Sequence, residues 1–305
     1  MSELNGIINI LKPPGKTSFQ VVSCVRRILS CKKAGHTGTL DPSAVGVLPI
    51  CLGKATKIIP YIPEDEKEYI ADIILGKRTD TLDAEGEIIE ESEDWKHISK
   101  DDLERTLKEF KGNIKQIPPM YSALHYKGKR LYKLARQGKE VDREPREVEI
   151  KELELLEFDL PRIKVRVLCS KGTYIRTLAD DIGEYLECGA FLQKLKRSKS
   201  GPFRIENAVT LDTLYNKGEK LIVPIDFPLD FPKLYIKDSF FDLAKNGSSL
   251  SANAFVDINI NLDKLAFEEK NVLVYYRNYF ISISQIINTE DGFEIKPDRV
   301  FNVQL

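Results

Sequence analysis

Two apolar rhythms alternate irregularly along this 305-residue chain, and that irregularity limits its fold more than any other feature. Alternating residues mark half-buried strands at Tyr69–Leu75, at Val148 and Ile150, and at Ile163, Val165 and Val167. Around them lie stripes of 3.6-residue period: Val21, Val22, Val25, Ile28 and Leu29; Leu103, Leu107 and Phe110; Ile175, Leu178, Ile182, Tyr185 and Leu186. Thr17 or Ser18 can cap the first helix, and Ser99, with Asp102 three residues on, the second. Strands and helices mix without a repeating β-α-β unit, so the spacing predicts an α+β fold rather than a doubly wound sheet. Gly6–Leu11 adds a short strand ended by Pro13-Pro14-Gly15, and residues 35–53, rich in Gly and Pro, read as a loop with a short strand.

Past Pro224 and Pro232 the composition turns to Asn, Ser and Asp with short β-type runs. Val272–Tyr276 and Tyr279–Ile283 flank an Arg277-Asn278 hairpin turn. At roughly 150 residues per domain, two domains are expected: residues 1–228, and a small β-rich domain over 229–305.

Whole classes of function are excluded early. No stretch approaches the roughly 18 apolar residues of a membrane helix, and the start lacks a basic segment followed by an apolar one, so no secretory signal is expected. Cys24, Cys31, Cys51, Cys169 and Cys188 include no C-x-x-C pair, which favours a reducing cytoplasm. His36, His97 and His125 stand at no metal-ligand spacing, so no metal site is expected. Pro14-Gly15-Lys16-Thr17-Ser18 is no phosphate loop, because the first glycine of that pattern would fall on Ile10.

The formal charge of −1 conceals segregation. No acid interrupts Lys12, Lys16, Arg26, Arg27, Lys32 and Lys33 between Leu4 and Leu40. From Pro118 to Arg146, Lys127, Lys129, Arg130, Lys133, Arg136, Lys139, Arg143 and Arg146 meet only Glu140, Asp142 and Glu144, with Tyr121, Tyr126 and Tyr132 interleaved. Lys194, Lys196, Arg197, Lys199 and Arg204 form a third acid-free run, while acids gather at Glu64–Glu68 and Glu85–Asp94. A basic face with compensating acid elsewhere suits a polyanion such as nucleic acid. Each run taken singly also fits a solvated helix face; for 129–138 that helix would pack through Leu131 and Leu134.

The most informative stretch is Ala34–Pro49. Asp41 is the first carboxylate after Glu3 and sits among cations and glycines. Such a carboxylate stays ionised and firmly held, as a nucleophile should be. It can equally be a helix N-cap with Pro42 at the first helical position. Gly35-His36-Thr37-Gly38-Thr39-Leu40-Asp41-Pro42 resembles the signature of the TruB family of tRNA pseudouridine synthases. Further likenesses follow in the family's order: Asn9–Gly15, Lys67-Glu68-Tyr69, Leu75–Thr81, Pro118–Ala123 and Cys169–Arg176. They span about residues 6–205; the tail is similar to a PUA-like domain only loosely.

The resemblance implies the pseudouridine synthase core and isomerisation of uridine 55 in the T loop of tRNA, with no cofactor. Asp41 would be the nucleophile, attacking ribose C1′ or uracil C6. Arg176 would orient it and lower its pKa. Tyr69 would stack on the base and help remove the C5 proton, while Tyr174 and Leu195 line the pocket. His36 would fill the space left by the flipped base. The insertion at about 118–146 would grip the T arm, with Lys12, Lys127, Lys129 and Arg130 on the RNA and the arm mobile until RNA binds. A monomer needing no protein partner is expected. Two alternatives remain: a guide-RNA-dependent synthase, and a tRNA-folding chaperone whose catalysis is secondary.

Overall fold

The computed structural model describes residues 4–63, 66–122, 124–256, 270–289 and 292–301. Glu64 and Asp65 of the acidic run, and Ala123 of the Pro118–Ala123 motif, lie outside the described residues. The chain forms two units: Ile8–Ile50 with Pro63–Ile222, and Met1–Ile7 with Cys51–Ile62 and Val223–Leu305.

Strand β1 (Gly6–Lys12) ends at the Pro13–Gly15 turn, where Gly15 takes a φ of +77° that costs glycine nothing. Helix α1 (Ser18–Ile28) then starts on a capping box: the Thr17 hydroxyl accepts from the Gln20 N–H, and the Gln20 side chain accepts from the Thr17 N–H. Its Val21, Val22 and Val25 are buried, as the stripe predicts. Residues 35–53 depart from expectation. They hold β2 (Ala34–His36) and an eight-residue strand β3 (Val45–Leu52), of which all but Val45 is buried. Gly46 and Pro49 disguise β3 as loop, and a strand buried on both faces shows no alternation to betray it.

The rest of this unit follows as β4 (Lys67–Leu75), β5 (Lys77–Thr79), β6 (Ile88–Glu91), α2 (Lys100–Glu109) and β7 (Gly112–Gln116). The basic insertion comes next: β8 (His125–Tyr126), β9 (Lys129–Arg130) and α3 (Leu131–Ala135). Then come β10 (Arg146–Asp159), β11 (Arg162–Cys169), α4 (Ile175–Tyr185), β12 (Ala190–Ser200), β13 (Phe203–Arg204) and α5 (Leu211–Lys217). The main sheet runs β1-β3-β12-β4-β11-β10-β7. It is mixed, with β12 parallel to β3 and antiparallel to β4, which agrees with the α+β expectation.

Alternation places Tyr69, Ala71, Ile73 and Leu75 of β4 beside Ile163, Val165 and Val167 of β11 on one face. There they pack with Leu103 and Leu107 of α2 and Leu178 and Ile182 of α4. Each such side chain contributes roughly 1.5–3 kcal/mol by leaving water. On the opposite face Arg166 meets Glu68, Glu152 and Glu154, and Lys164 meets Glu157 and Asp72. The cations of β11 are therefore matched within the sheet.

In the other unit, β14 (Lys233–Tyr235), α6 (Phe241–Lys245), β15 (Leu250–Ser251), β16 (Asn271–Tyr276), β17 (Tyr279–Thr289) and β18 (Gly292–Val300) form a sheet of order β14-β16-β17-β18-β15. Tyr276 pairs with Tyr279 across the predicted turn, where Arg277 has a φ of +53°. Leu234, Val272, Val274, Ile281 and Ile295 fill its core.

Candidate active site

Asp41 caps no helix; it stands in an irregular turn between β2 and β3, which removes the capping alternative. Nearly every carbonyl around it has a donor. Ser18 and Leu40 exchange two bonds: the hydroxyl donates to the Leu40 carbonyl and accepts from its N–H, at 3.0 and 2.9 Å. The Asp41 carbonyl accepts from the Ala44 N–H. The Pro42 carbonyl accepts from both the Gly15 N–H and Lys12 Nζ. A loop so fully satisfied has little freedom to relax, and it holds Asp41 in the lining of a cleft.

Lys12 is thus not a surface cation. It is 0% exposed and donates to the carbonyls of Pro13, Pro42 and Ala44 at 2.7–2.9 Å. Burial pushes its pKa down to about 8, against the pull of Asp41. Arg197 of the third basic run is equally hidden, at 0% exposed. The sequence counts charges but cannot tell which of them face water.

Arg176, the second residue of α4, meets the nucleophile candidate from below. Its Nε lies 3.1 Å from Asp41 Oδ2, and its Nη2 donates to Asp41 Oδ1 at 3.5 Å and to the Tyr121 carbonyl at 3.0 Å. Nη1 faces Asp83 Oδ2 at 3.3 Å and the Thr81 carbonyl at 3.4 Å. Asp83 is itself held by the Thr81 hydroxyl at 2.6 Å and the Glu85 N–H at 3.1 Å. This second carboxylate was missed by sequence reasoning, which stopped at Thr81. Its partner is 93 residues away, and no local pattern marks such a pair.

The expected lowering of the Asp41 pKa is not found. Although 37% of its side chain opens to the cleft, its recessed position desolvates the carboxylate and raises its pKa, aided by Asp83; Arg176 and Lys12 oppose that and do not overcome it. Asp83, held against the same guanidinium, adds a negative charge that works against the pull of Arg176.

Asp41, Arg176, Tyr69, Tyr174 and Leu195 line one cleft of about 240 Å³. Tyr69, from β4, is 7% exposed, and burial raises the pKa of its phenol. Tyr174, at the head of α4, is fixed by Gln116: its N–H donates to Oε1 at 2.7 Å and its carbonyl accepts from Nε2 at 3.0 Å. Gln116 is 2% exposed, and nothing in its local sequence announces the role.

His36 does not line this cleft. Burial, then Arg197 and Lys67, lower its pKa, so the ring is neutral at pH 7, and its Nδ1 is buried with no hydrogen-bond partner among the described residues. The insertion forms a β8–β9 hairpin turning at Lys127-Gly128, then α3 seated on buried Leu131 and Leu134. The two buried leucines are those through which a helix over 129–138 was expected to pack. Lys129 and Arg130 are exposed, and Lys127 lies over the Tyr126 ring at 5.4 Å. Among the described residues no group of His, Cys, Asp or Glu could hold a metal, and no helix is long and apolar enough to cross a membrane.

Comparison with known proteins matches residues 26–175 to the "TruB family pseudouridylate synthase (N terminal domain)" and residues 176–229 to the "tRNA pseudouridylate synthase B C-terminal domain". A protein of Clostridium perfringens (strain SM101 / Type A) named tRNA pseudouridine synthase B is 47% identical over 89% of this chain and 94% of its own. One of the same name from Syntrophomonas wolfei is 43% identical over 98% of this chain and 99% of its own. Among solved structures, a chain of a Cbf5-Nop10-Gar1 complex superposes with a TM-score of 0.72 at 29% identity, covering 97% of this chain and 84% of that one.

Proposed function

Because the chain belongs to the TruB family of pseudouridine synthases, we propose that it isomerises uridine 55 to pseudouridine in the T loop of tRNA. The observation that carries this reading is the Asp41–Arg176 pair, 3.1 Å apart, in a cleft whose lining includes Tyr69, Tyr174 and Leu195. The reaction breaks the N1–C1′ bond of uridine, turns the base and rejoins C1′ to C5, with nothing oxidised or lost. It needs a nucleophile, a proton carrier and an apolar slot. Asp41 attacks C1′ or C6, and Arg176 keeps its carboxylate in one orientation. Tyr69 stacks on the base and takes part in removing the C5 proton. Tyr174 and Leu195 wall the space in which the detached uracil turns. The cleft is smaller than the roughly 300–1,000 Å³ of drug-sized pockets, which suits one flipped base with its backbone left outside.

Unstacking the uridine costs a few kcal/mol, and His36, whose neutral ring has an unpartnered nitrogen, fills the vacated place. The exposed cations of the hairpin and α3 grip the T-arm phosphates. Five unpaired cysteines suit work in the reducing cytoplasm, and the protein acts as a monomer. In chain order the catalytic domain takes residues 1–228 and the PUA-like domain 229–305, while by packing residues 1–7, 51–62 and 223–228 belong to the latter's unit. Relatives at 43–47% identity bear the tRNA enzyme's name, which favours the stand-alone form over a guide-RNA-dependent one.

The test incubates the purified protein with an unmodified tRNA transcript and maps pseudouridine by carbodiimide-dependent primer-extension stops. A stop at position 55, absent when uridine 55 is replaced, is expected. A stop only after adding a guide RNA would favour the guided form. Full refolding activity with no stop anywhere would favour the chaperone.

A further inference from the structure

Arg197 heads the fully buried side chains of the described residues by size. A buried guanidinium is costly unless every donor is met. Among the described residues no carboxylate lies within ion-pair distance of it. Its donors go instead to three carbonyls of the nucleophile loop: Nε to Val47 at 2.8 Å, Nη1 to Thr39 at 3.3 Å and Nη2 to Gly38 at 3.1 Å. Its backbone is placed as tightly. Arg197 is the register partner of Tyr69 across β12 and β4, and of Gly46 across β12 and β3. Gly46 has a φ of +120°, and a Cβ there would fall 2.1 Å from the Arg197 carbonyl oxygen. The two strands touch where only glycine fits.

As register partners on adjacent antiparallel strands, Arg197 and Tyr69 project from the same face of the sheet. Burial raises the pKa of that phenol, Arg197 draws it down, and Cys169 and Asp41 push it up. Lys12 holds the loop at Pro42 and Ala44, on the other side of Asp41. Of these two buried cations, Arg197 is the one that meets both the loop and the tyrosine.

Resting on the isomerase reading above, we propose that Arg197 is a positioning residue for the reaction. It locks the Asp41 loop through Gly38, Thr39 and Val47, and holds the Tyr69 hydroxyl in register with it. Nucleophile and tyrosine then keep one mutual geometry while the base between them detaches and turns. An apolar side chain of equal size would fill the space but lose the three bonds to the loop and the positive charge beside the phenol.

Two variants separate this role from simple packing. Arg197→Lys keeps the charge and loses the planar fork; Arg197→Gln keeps a polar donor and loses the charge. With tRNA bound at saturation, single-turnover isomerisation should fall about 100-fold in each, the cost of a small misplacement of reacting groups. The tRNA affinity should stay within about threefold, because it rests on phosphate contacts elsewhere. With 3-fluorotyrosine at position 69, the fluorine titration of tRNA-free Arg197→Gln should move to higher pH than in the wild type. That signal needs no turnover, so it reads the Arg197–Tyr69 link even if the wild-type protein fails to isomerise tRNA, an outcome that would count against the isomerase reading instead. If both variants unfold, the wild-type fluorine signal decides: a titration no different from that of free 3-fluorotyrosine means Tyr69 is not held. A wild-type single-turnover rate in either folded variant, a loss confined to tRNA affinity, or an unmoved titration in Arg197→Gln would overturn the proposal.

Discussion

Nη1 of Arg176 lies 3.3 Å from Oδ2 of Asp83, so the guanidinium that meets Asp41 is gripped from its other edge. Both partners are nearly buried, at 5% and 7% exposure. Asp83→Ala should leave Arg176 free to tilt, slowing single-turnover isomerisation by about 100-fold while tRNA affinity barely changes. Wild-type turnover in that variant would mean Arg176 needs no second acid.

Asp41→Asn removes the nucleophile and little else. Isomerisation should vanish while tRNA binding stays within about an order of magnitude, since affinity comes mainly from phosphate contacts. Product above the uncatalysed background from Asp41→Ala, measured in the same assay, would take the role away from this residue.

The ionised form of Asp41 does the chemistry, and burial raises its pKa above the usual 3.8. The rate should therefore fall as pH drops through that raised value, before ordinary carboxylates protonate. Asp83 is one of the causes of the increase, so Asp83→Asn should shift the acid limb of the pH–rate profile to lower pH even as it lowers the plateau. An acid limb shifted the other way would contradict the arrangement.

Asp181, on α4, is pushed up to about 7, first by burial and then by Asp180 and Glu184. Its folded pKa exceeds the unfolded value near 3.9, so the folded state holds the proton more tightly. Stability then declines as pH rises between those two values, and the penalty is complete above pH 7. Asp181→Asn should stabilise the protein at pH 8 by on the order of 2 kcal/mol, with the gain shrinking toward zero near pH 4. Thermal melts at the two pH values measure it; a gain independent of pH would point to packing instead.

For the insertion, Lys127, Lys129, Arg130 and Lys133 changed together to Ala should raise the apparent KM for tRNA and leave chemistry on bound substrate nearly intact. For every phosphate left without its cation, the log–log salt slope should flatten by roughly 0.7–0.9. Leu131 and Leu134 seat α3, so its amides should exchange more slowly than those of the hairpin tip and gain protection on adding tRNA. An unaltered salt slope with unchanged protection would mean this segment does not touch RNA.

Local sequence determined those parts whose physics is local. The capping boxes at Thr17 and Ser99, the β16–β17 hairpin and the stripes of α1 and α4 depend on residues within a few positions of one another. The family resemblance, through its separate motifs, also pointed to Tyr69, Tyr174, Arg176 and Leu195, which line the cleft with Asp41. Only the tertiary structure decided which cations are surface and which are buttress. Lys12 and Arg197 look like members of basic runs, yet both are enclosed, because they satisfy carbonyls of a loop that packs on them from 30 and 150 residues away. Asp83 and Gln116 were invisible for the same reason: their partners Arg176 and Tyr174 are 93 and 58 residues distant. The pKa of Asp41 follows suit. Composition suggests a carboxylate among cations, but its ionisation depends on desolvation and on the nearness of Asp83 as well as Arg176, quantities that exist only once the chain has folded.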